Sequence, residues 1–320
     1  MKRQEKESIK NLDDFKRKFS SLNEKLKESI LLRDRIILDI LKSKEIVERR
    51  DEFNFSPFFV DGSLMKMGGN YPNFFYIFRS LAINPFNGQR IFMYDLFSPL
   101  LSEDRAYFER ILNEIKRREE ALLSDLTYAE ERIRYERMAK LEILVATDSV
   151  DFLKEGDLLI MDGSLTHFQK QAVRGFNELL NKCRSKNITL VGVIEDIYGK
   201  ELSNLDLSDK ELLTGKLSIG EMIFLPYPKK KQGFSMVYLR SSNDPIPIAF
   251  DIPSEFKDRY REVASFIMFI TERNGRGIPF FLDMVDREVK LTEKEIRLMG
   301  KQFLDEEIFE TFFTPKRRLR

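Results

Sequence analysis

The chain has 320 residues, 42% of them hydrophobic, with 54 Lys and Arg against 53 Asp and Glu for a formal net charge of +1. That apolar content can fill one large core, and the balance of charge means that contact with a polyanion depends on where the charges gather, not on their sum. A single cysteine, Cys183, excludes an intramolecular disulfide or a thiolate zinc cluster, and a single histidine, His167, excludes a histidine-rich metal site, so any metal here needs oxygen ligands.

The first twenty residues, MKRQEKESIKNLDDFKRKFS, are charged throughout and lack the apolar core of a signal peptide. No stretch is long enough to span a bilayer, which predicts a soluble cytoplasmic protein with no membrane partner. Residues 1–52 carry Ile9, Leu12, Phe15, Phe19, Leu22, Leu26, Ile30 and Ile37 at steps suited to one helix face. The pattern predicts a long amphipathic arm with a break near Ser20 and Ser21, which must pack on the main domain or on another subunit. The main domain is expected over 53–312. It opens with FFVDGSLMKMGGNYPNFFYIFRSLAI, read as neighbouring strands, and IFMYDLF follows as the next one. A helical insertion without Pro or Gly spans about 103–146 and leads to LLIMDGSL. The helix FQKQAVRGFNELLNKCRSKN and the buried-type strand ITLVGVIED then complete a strand–helix–strand unit, hence two parallel strands. After a polar loop, FSMVYLR and PIPIAFDI read as partner strands. Helices close the domain, and residues 313–320 form a basic tail. The fold class is α/β.

Two apolar runs end in the same way, FFVDGSL at Asp61 and LLIMDGSL at Asp162. A strand that ends in Asp projects a carboxylate from a rigid sheet edge, and the following Gly leaves the approach open. Set side by side, two such carboxylates repel unless a divalent cation such as Mn2+ or Mg2+ lies between them, the arrangement that phosphodiester cleavage uses. Asp-Gly-Ser is also an ordinary turn or helix cap. Its repetition after like runs is what favours the shared cation.

In order along the chain, FFVDGS, a helix bearing a glutamate, LLIMDGSL, a helix, ITLVGVIED, VYLR and the late GIPFFL segment resemble the NurA nuclease family over about Pro57 to Gly300. The resemblance implies a ribonuclease-H-like mixed sheet flanked by helices and a Mn2+-dependent DNA nuclease acting on single strands and 5′ ends. It also implies a homodimer that works beside the hexameric HerA translocase in DNA-end resection and double-strand-break repair. By position, Asp61 and Asp162 match the family's two aspartates, and Glu142 in RMAKLEILVA matches its helical glutamate. The late motif departs from the family: Ile278 stands where a tyrosine is usual, Asp286 where a histidine is usual, and Glu195 and Asp196 where a lysine follows the LVG strand. Asp286 can still ligate Mn2+ or Mg2+ through oxygen, giving a set of Asp61, Glu142, Asp162 and Asp286, with Asp283 one turn earlier as its substitute.

For nucleic acid, Lys66 could touch a phosphate, and Tyr238 with Arg240 on one strand face suits a single strand. Tyr238 is equally well read as packed at a core edge. Lys229, Lys230 and Lys231 are expected to be exposed. Three readings stay open: an active deoxyribonuclease, a degraded homologue that only binds DNA or its motor, and a ribonuclease-H-like enzyme acting on RNA.

Overall fold

The chain's apolar runs assemble into one mixed sheet, seen in a computed structural model that describes residues 12–118, 125–231 and 233–313. Ile9 and the tail TPKRRLR lie outside the described residues. In chain order the elements are α1 (Leu12–Leu41), β1 (Lys44–Ile46), β2 (Phe58–Gly68), β3 (Phe74–Asn84), β4 (Gln89–Phe97), α2 (Ser102–Arg118), α3 (Asp125–Ser149), β5 (Leu158–Asp162), α4 (Leu165–Gln171), α5 (Val173–Ser185), β6 (Thr189–Ile194), α6 (Asp209–Leu213), β7 (Glu221–Leu225), β8 (Phe234–Leu239), β9 (Ile248–Pro253), α7 (Tyr260–Phe269), α8 (Phe280–Val289), α9 (Glu293–Phe303) and α10 (Glu306–Phe312). Sheet order is β1-β7-β8-β9-β6-β5-β2-β3-β4. The β2–β5 and β5–β6 pairs are parallel, and the others are antiparallel.

Alternation along the central strands sorts their side chains onto two faces. Phe59, Ile160 and Val191 join α7 and α8 in one core, through Val263, Phe266, Leu282 and Val285. Phe58, Val60, Met161 and Leu190 join α3 and α5 in the other, through Ile143, Ala146, Phe176 and Leu179. Every residue of β3 is buried, including Arg79. Its guanidinium is spent on the end of α8, donating to the carbonyls of Val289 (2.7 Å), Lys290 (2.5 Å) and Glu288 (3.3 Å). Those carbonyls have no partner within the helix, and their partial negative charge favours a cation. A lone Arg inside FFYIFRSLAI thus fixes the position of α8.

Several boundaries differ from the sequence reading. α1 is unbroken across Ser20 and Ser21, because these small residues cost an exposed helix little. Within it only Ile37 is buried; Phe15, Phe19, Leu22, Leu26 and Ile30 face solvent, so the arm meets the main domain only near its C-terminal end. β1 belongs to the sheet through its pairing with β7, and the sheet therefore begins inside the span assigned to the arm. β7 lies within the stretch expected as polar loop, since EMIFL is too short to separate from a turn-rich segment by periodicity. The helix after LLIMDGSL breaks at Ala172 into α4 and α5.

Arg79→Leu is expected to orphan the last carbonyls of α8 and to lower stability by about 2–4 kcal/mol in urea unfolding. A wild-type midpoint and slope would show that α8 does not depend on this cap.

Candidate active site

Parallel pairing brings the two Asp-Gly-Ser segments together. Phe58, Phe59 and Val60 of β2 pair with Leu159, Ile160 and Met161 of β5, so Asp61 and Asp162 are the next residues in register. Adjacent strands run about 4.8 Å apart. β5 stops at Asp162, whereas β2 continues to Gly68 on β3 alone, which corrects the expectation that both aspartates end a strand. The strands separate at the aspartates and open a cleft. By alternation, both carboxylates share the face of Phe59 and Ile160, beneath α8.

The two glycines do different jobs. Gly163 has φ +102° and donates its N–H to the Val193 carbonyl at 2.7 Å, turning the chain from β5 into α4. Gly62 is needed for space. A Cβ there would lie 2.3 Å from Met138 Cε and 2.6 Å from Glu142 Oε1. α3 lies against the opposite face of the sheet from α8, and its Glu142 carboxylate occupies the room that Gly62 leaves, within reach of the charge of Asp61. Its segment LEILVA is buried nearly all round, so Glu142 is itself only 8% exposed.

α8 supplies the remaining acids. Asp286 and Asp283 both act on the charge of Asp162. They differ in what else they touch: Arg276 pairs with Asp283 at 2.7 Å and with Glu195 at 2.9 Å. Asp286 has no ion pair among the described residues, and neither have Asp61, Glu142 or Asp162. Arg276, from the loop before α8, thus balances the acid that Glu195 places just past the end of β6.

These carboxyl groups hold protons unusually well. Burial, then the charge of Asp162, pushes Asp61 up to about 8, although the Gly62 N–H (2.6 Å) works against it. Burial, then Asp61 and Asp162, raises Glu142 well above the usual carboxylate range. Asp162 is open to solvent at the mouth of the cleft but crowded by protein on its other sides, and this desolvation together with Glu195, Asp286 and Asp283 lifts it to about 6. Uncompensated acids gathered in this way are typical of functional sites. Their oxygens are ligands for a hard divalent cation. Among the described residues no three His, Cys, Asp or Glu side chains already form a closed cage, so ligation requires the carboxylates to swing inward.

A second network holds the Asp162 turn and was not anticipated. Asp251 of β9 is fully buried, and its carboxylate passes over Gly192, where a Cβ would lie 2.4 Å away, to accept from Leu165 N (3.0 Å) and Ser164 Oγ (2.7 Å). Lys231 completes it at 2.8 Å. An acid inside the apolar run IAFDI was the available signal. Lys229 and Lys230 are exposed as expected, but Lys231 is drawn inward by this charge.

The three residues assigned to DNA are otherwise engaged. Tyr238 is fully buried and donates its hydroxyl to Asp209, so its ring is closed to a base. Arg240 donates to the carbonyls of Leu217, Ser242, Asn243 and Asp244, tying a loop. Lys66 pairs with Glu130 at 2.7 Å and lies over the Phe74 ring. Strand alternation predicted a shared face for Tyr238 and Arg240, but not that the face is covered.

Two outcomes test the electrostatics. An unfolded aspartate titrates near 3.9, whereas folded Asp61 titrates at about 8. The folded state binds the proton more tightly, so this stabilisation is complete below about pH 4 and is lost as pH rises through about 8. In EDTA, Asp61→Asn should therefore gain on wild type with rising pH, melting at least about 3 °C higher at pH 9; parallel melting curves would contradict the shift. Gly62→Ala meets only the ends of two flexible side chains, so it should keep cooperative unfolding while displacing Glu142. Carboxyl NMR titration should then find Glu142 below its wild-type value, since burial and the charges of Asp61 and Asp162 are what raise it, and an unmoved titration would show that Gly62 does not set this contact.

A search of curated protein sequences finds no match. Among solved structures, the NurA nuclease from Sulfolobus solfataricus superposes with TM-score 0.60 at 15% identity, over 91% of this chain and 97% of that one. A NurA structure bound to dAMP and manganese superposes with TM-score 0.58 at 10% identity, over 95% and 100%. Another, with manganese, gives TM-score 0.56 at 11% identity, over 89% and 99%. At these identities the likeness establishes the fold. The family profile of the NurA domain matches residues 55–291, well over half of the chain, and the chain therefore belongs to the NurA family.

Proposed function

We propose that the chain is a deoxyribonuclease that uses Mn2+ or Mg2+ held by Asp61, Glu142, Asp162 and Asp286. The observation that carries this is the gathering of these acids at one cleft without a lysine or arginine in ion-pair contact, among the described residues. The donor set is all oxygen, as these ions prefer, and relatives of the same fold contain manganese, one of them with dAMP. Such an ion would polarise water and the phosphodiester and neutralise the leaving oxygen. The protein's own part is to hold the ligands: the β2–β5 register sets Asp61 and Asp162, Gly62 admits Glu142, and Arg79 anchors the helix of Asp286. Tight proton binding by Asp61 and Glu142 means that cation and protons compete for the same oxygens.

Within this reading the substrate is DNA, as single strands and ends, cut endonucleolytically and from 5′ to 3′. The work is DNA-end resection in double-strand-break repair in the cytoplasm, beside a HerA-type hexameric ATPase. Residues 1–52 serve as the arm and 53–312 as the nuclease domain. Two exposed apolar regions support a homodimer and a motor contact: the stripe Phe15, Phe19, Leu22, Leu26 and Ile30 on α1, and a groove of about 390 Å3 bordered by Leu96, Phe303, Ile308 and Phe312. No helix among the described residues is long and apolar enough to cross a membrane. The alternative, a degraded subunit that binds DNA or the motor without cutting, draws on Ile278 and Glu195. Arg276 weighs against it, since its ion pair balances the charge of Glu195.

Purified protein with Mn2+ is expected to degrade end-labelled single-stranded DNA, to stop in EDTA, and to lose at least about a hundredfold in rate on Asp162→Asn. Wild-type rates in that variant would sink the metal site. Absence of cleavage together with absence of Mn2+ binding by calorimetry would favour the degraded subunit.

A further inference from the structure

Beside the carboxylates lies a pocket that Glu142 and Asp162 help to line and that also holds an arginine this mechanism does not use. α3 carries three arginines in its first half, and two are neutralised. Arg132 pairs with Glu114 (2.9 Å) and Glu136 (2.7 Å), and Arg137 with Asp95 (2.9 Å) and Asp104. Arg134 has no ion pair or hydrogen bond among the described residues, and its Nε is buried without an acceptor. Its charge meets only the ring of Tyr76, 5.9 Å away. Glu130, one turn earlier, is already taken by Lys66 and the Tyr76 hydroxyl. A buried N–H without an acceptor is costly, and it is relieved when an acceptor arrives.

Arg134 lines a cavity of about 200 Å3 together with Glu142 and Asp162, so the cavity opens directly onto the proposed cation site. Tyr135 and His167 form another part of its wall, their rings edge to face with centroids 5.9 Å apart, and Tyr135 is more than half exposed. Burial and the neighbouring Lys170 lower the His167 pKa, which keeps its ring neutral at pH 7. The space is below the roughly 300 Å3 of a small-molecule site. It suits a piece of a larger ligand. A guanidinium presents donors in a fork that matches phosphate oxygens, and exposed rings accept a stacked base.

We propose that this cavity is the subsite for one nucleotide unit of the strand, adjoining the phosphate that lies at the carboxylates. Arg134 holds its phosphate oxygens, and Tyr135 with His167 forms the wall against its base or sugar. The proposal rests on the nuclease reading, because the two acids repel a phosphate until a cation balances them.

The test uses fluorescein-labelled oligothymidylate and the full chain in Ca2+, with binding followed by anisotropy across a salt series. Arg134→Gln is expected to weaken binding by on the order of tenfold. It should also reduce the slope of log affinity against log salt by about 0.7, one phosphate contact on a single strand. Arg134→Lys should restore the slope, because it keeps the charge. In Mn2+ the loss should fall on KM more than on kcat. An unchanged slope in Arg134→Gln, or an equal loss in Arg134→Lys, overturns the subsite even if Asp162→Asn still abolishes cleavage. A wild type that neither binds nor cuts the oligonucleotide overturns the subsite and the nuclease together.

Discussion

The cleft depends on a contact that a single methyl group would prevent. The Glu142 carboxylate lies over Gly62, where a Cβ would come within 2.6 Å of it, and from there it feels the charge of Asp61 on the other side of the sheet. The consequences spread outward. Because α3 can settle so closely, its apolar segment fills the core against β2, β3 and α5, and the glutamate within that segment is buried with the rest. Because β2 and β5 part company just beyond Val60 and Met161, Asp61 and Asp162 each keep only their outer neighbour, Leu81 and Val193, and leave a cleft between them.

Folding gathers carboxyl groups where the hydrophobic effect alone would place apolar side chains. The molecule carries that cost locally and reinforces the surroundings. Arg79 grips the end of α8, and Asp251 with Lys231 grips the turn that follows Asp162. Both anchors use a buried charge whose hydrogen bonds are satisfied, which is the condition under which such a group adds order instead of strain. Acids that would be liabilities in a purely structural core are thereby held together at one cleft, where the proposed cation would balance them.

Arg276 and Arg134 show how charge reaches the cleft from unlike directions. One comes from the loop before α8 and is shared between Glu195 and Asp283, and the other comes from α3 and has no ion pair or hydrogen bond among the described residues. Neither would be singled out in the sequence, because arginines on exposed loops and amphipathic helices most often do no more than pair with a neighbour, as Arg132 and Arg137 do.

The sequence by itself determined the strands around both Asp-Gly-Ser segments, the crossover through α4 and α5, and the family, since apolar alternation and a repeated short motif are local properties of the chain. The family resemblance pointed to Glu142, an acid set in an apolar helix segment. The sequence did not reveal β7, whose five residues are too few for a periodic signal. It misassigned Tyr238 and Arg240, because alternation states which residues share a face but not what covers that face. Only the tertiary structure decided that Glu142 feels the charge of Asp61, that Asp283 is occupied by Arg276 while Asp286 is not, and that Lys231 turns inward to Asp251. Each of those outcomes joins residues far apart in sequence. Their energies depend on burial and on the distance between charges, quantities that exist only once the chain has packed.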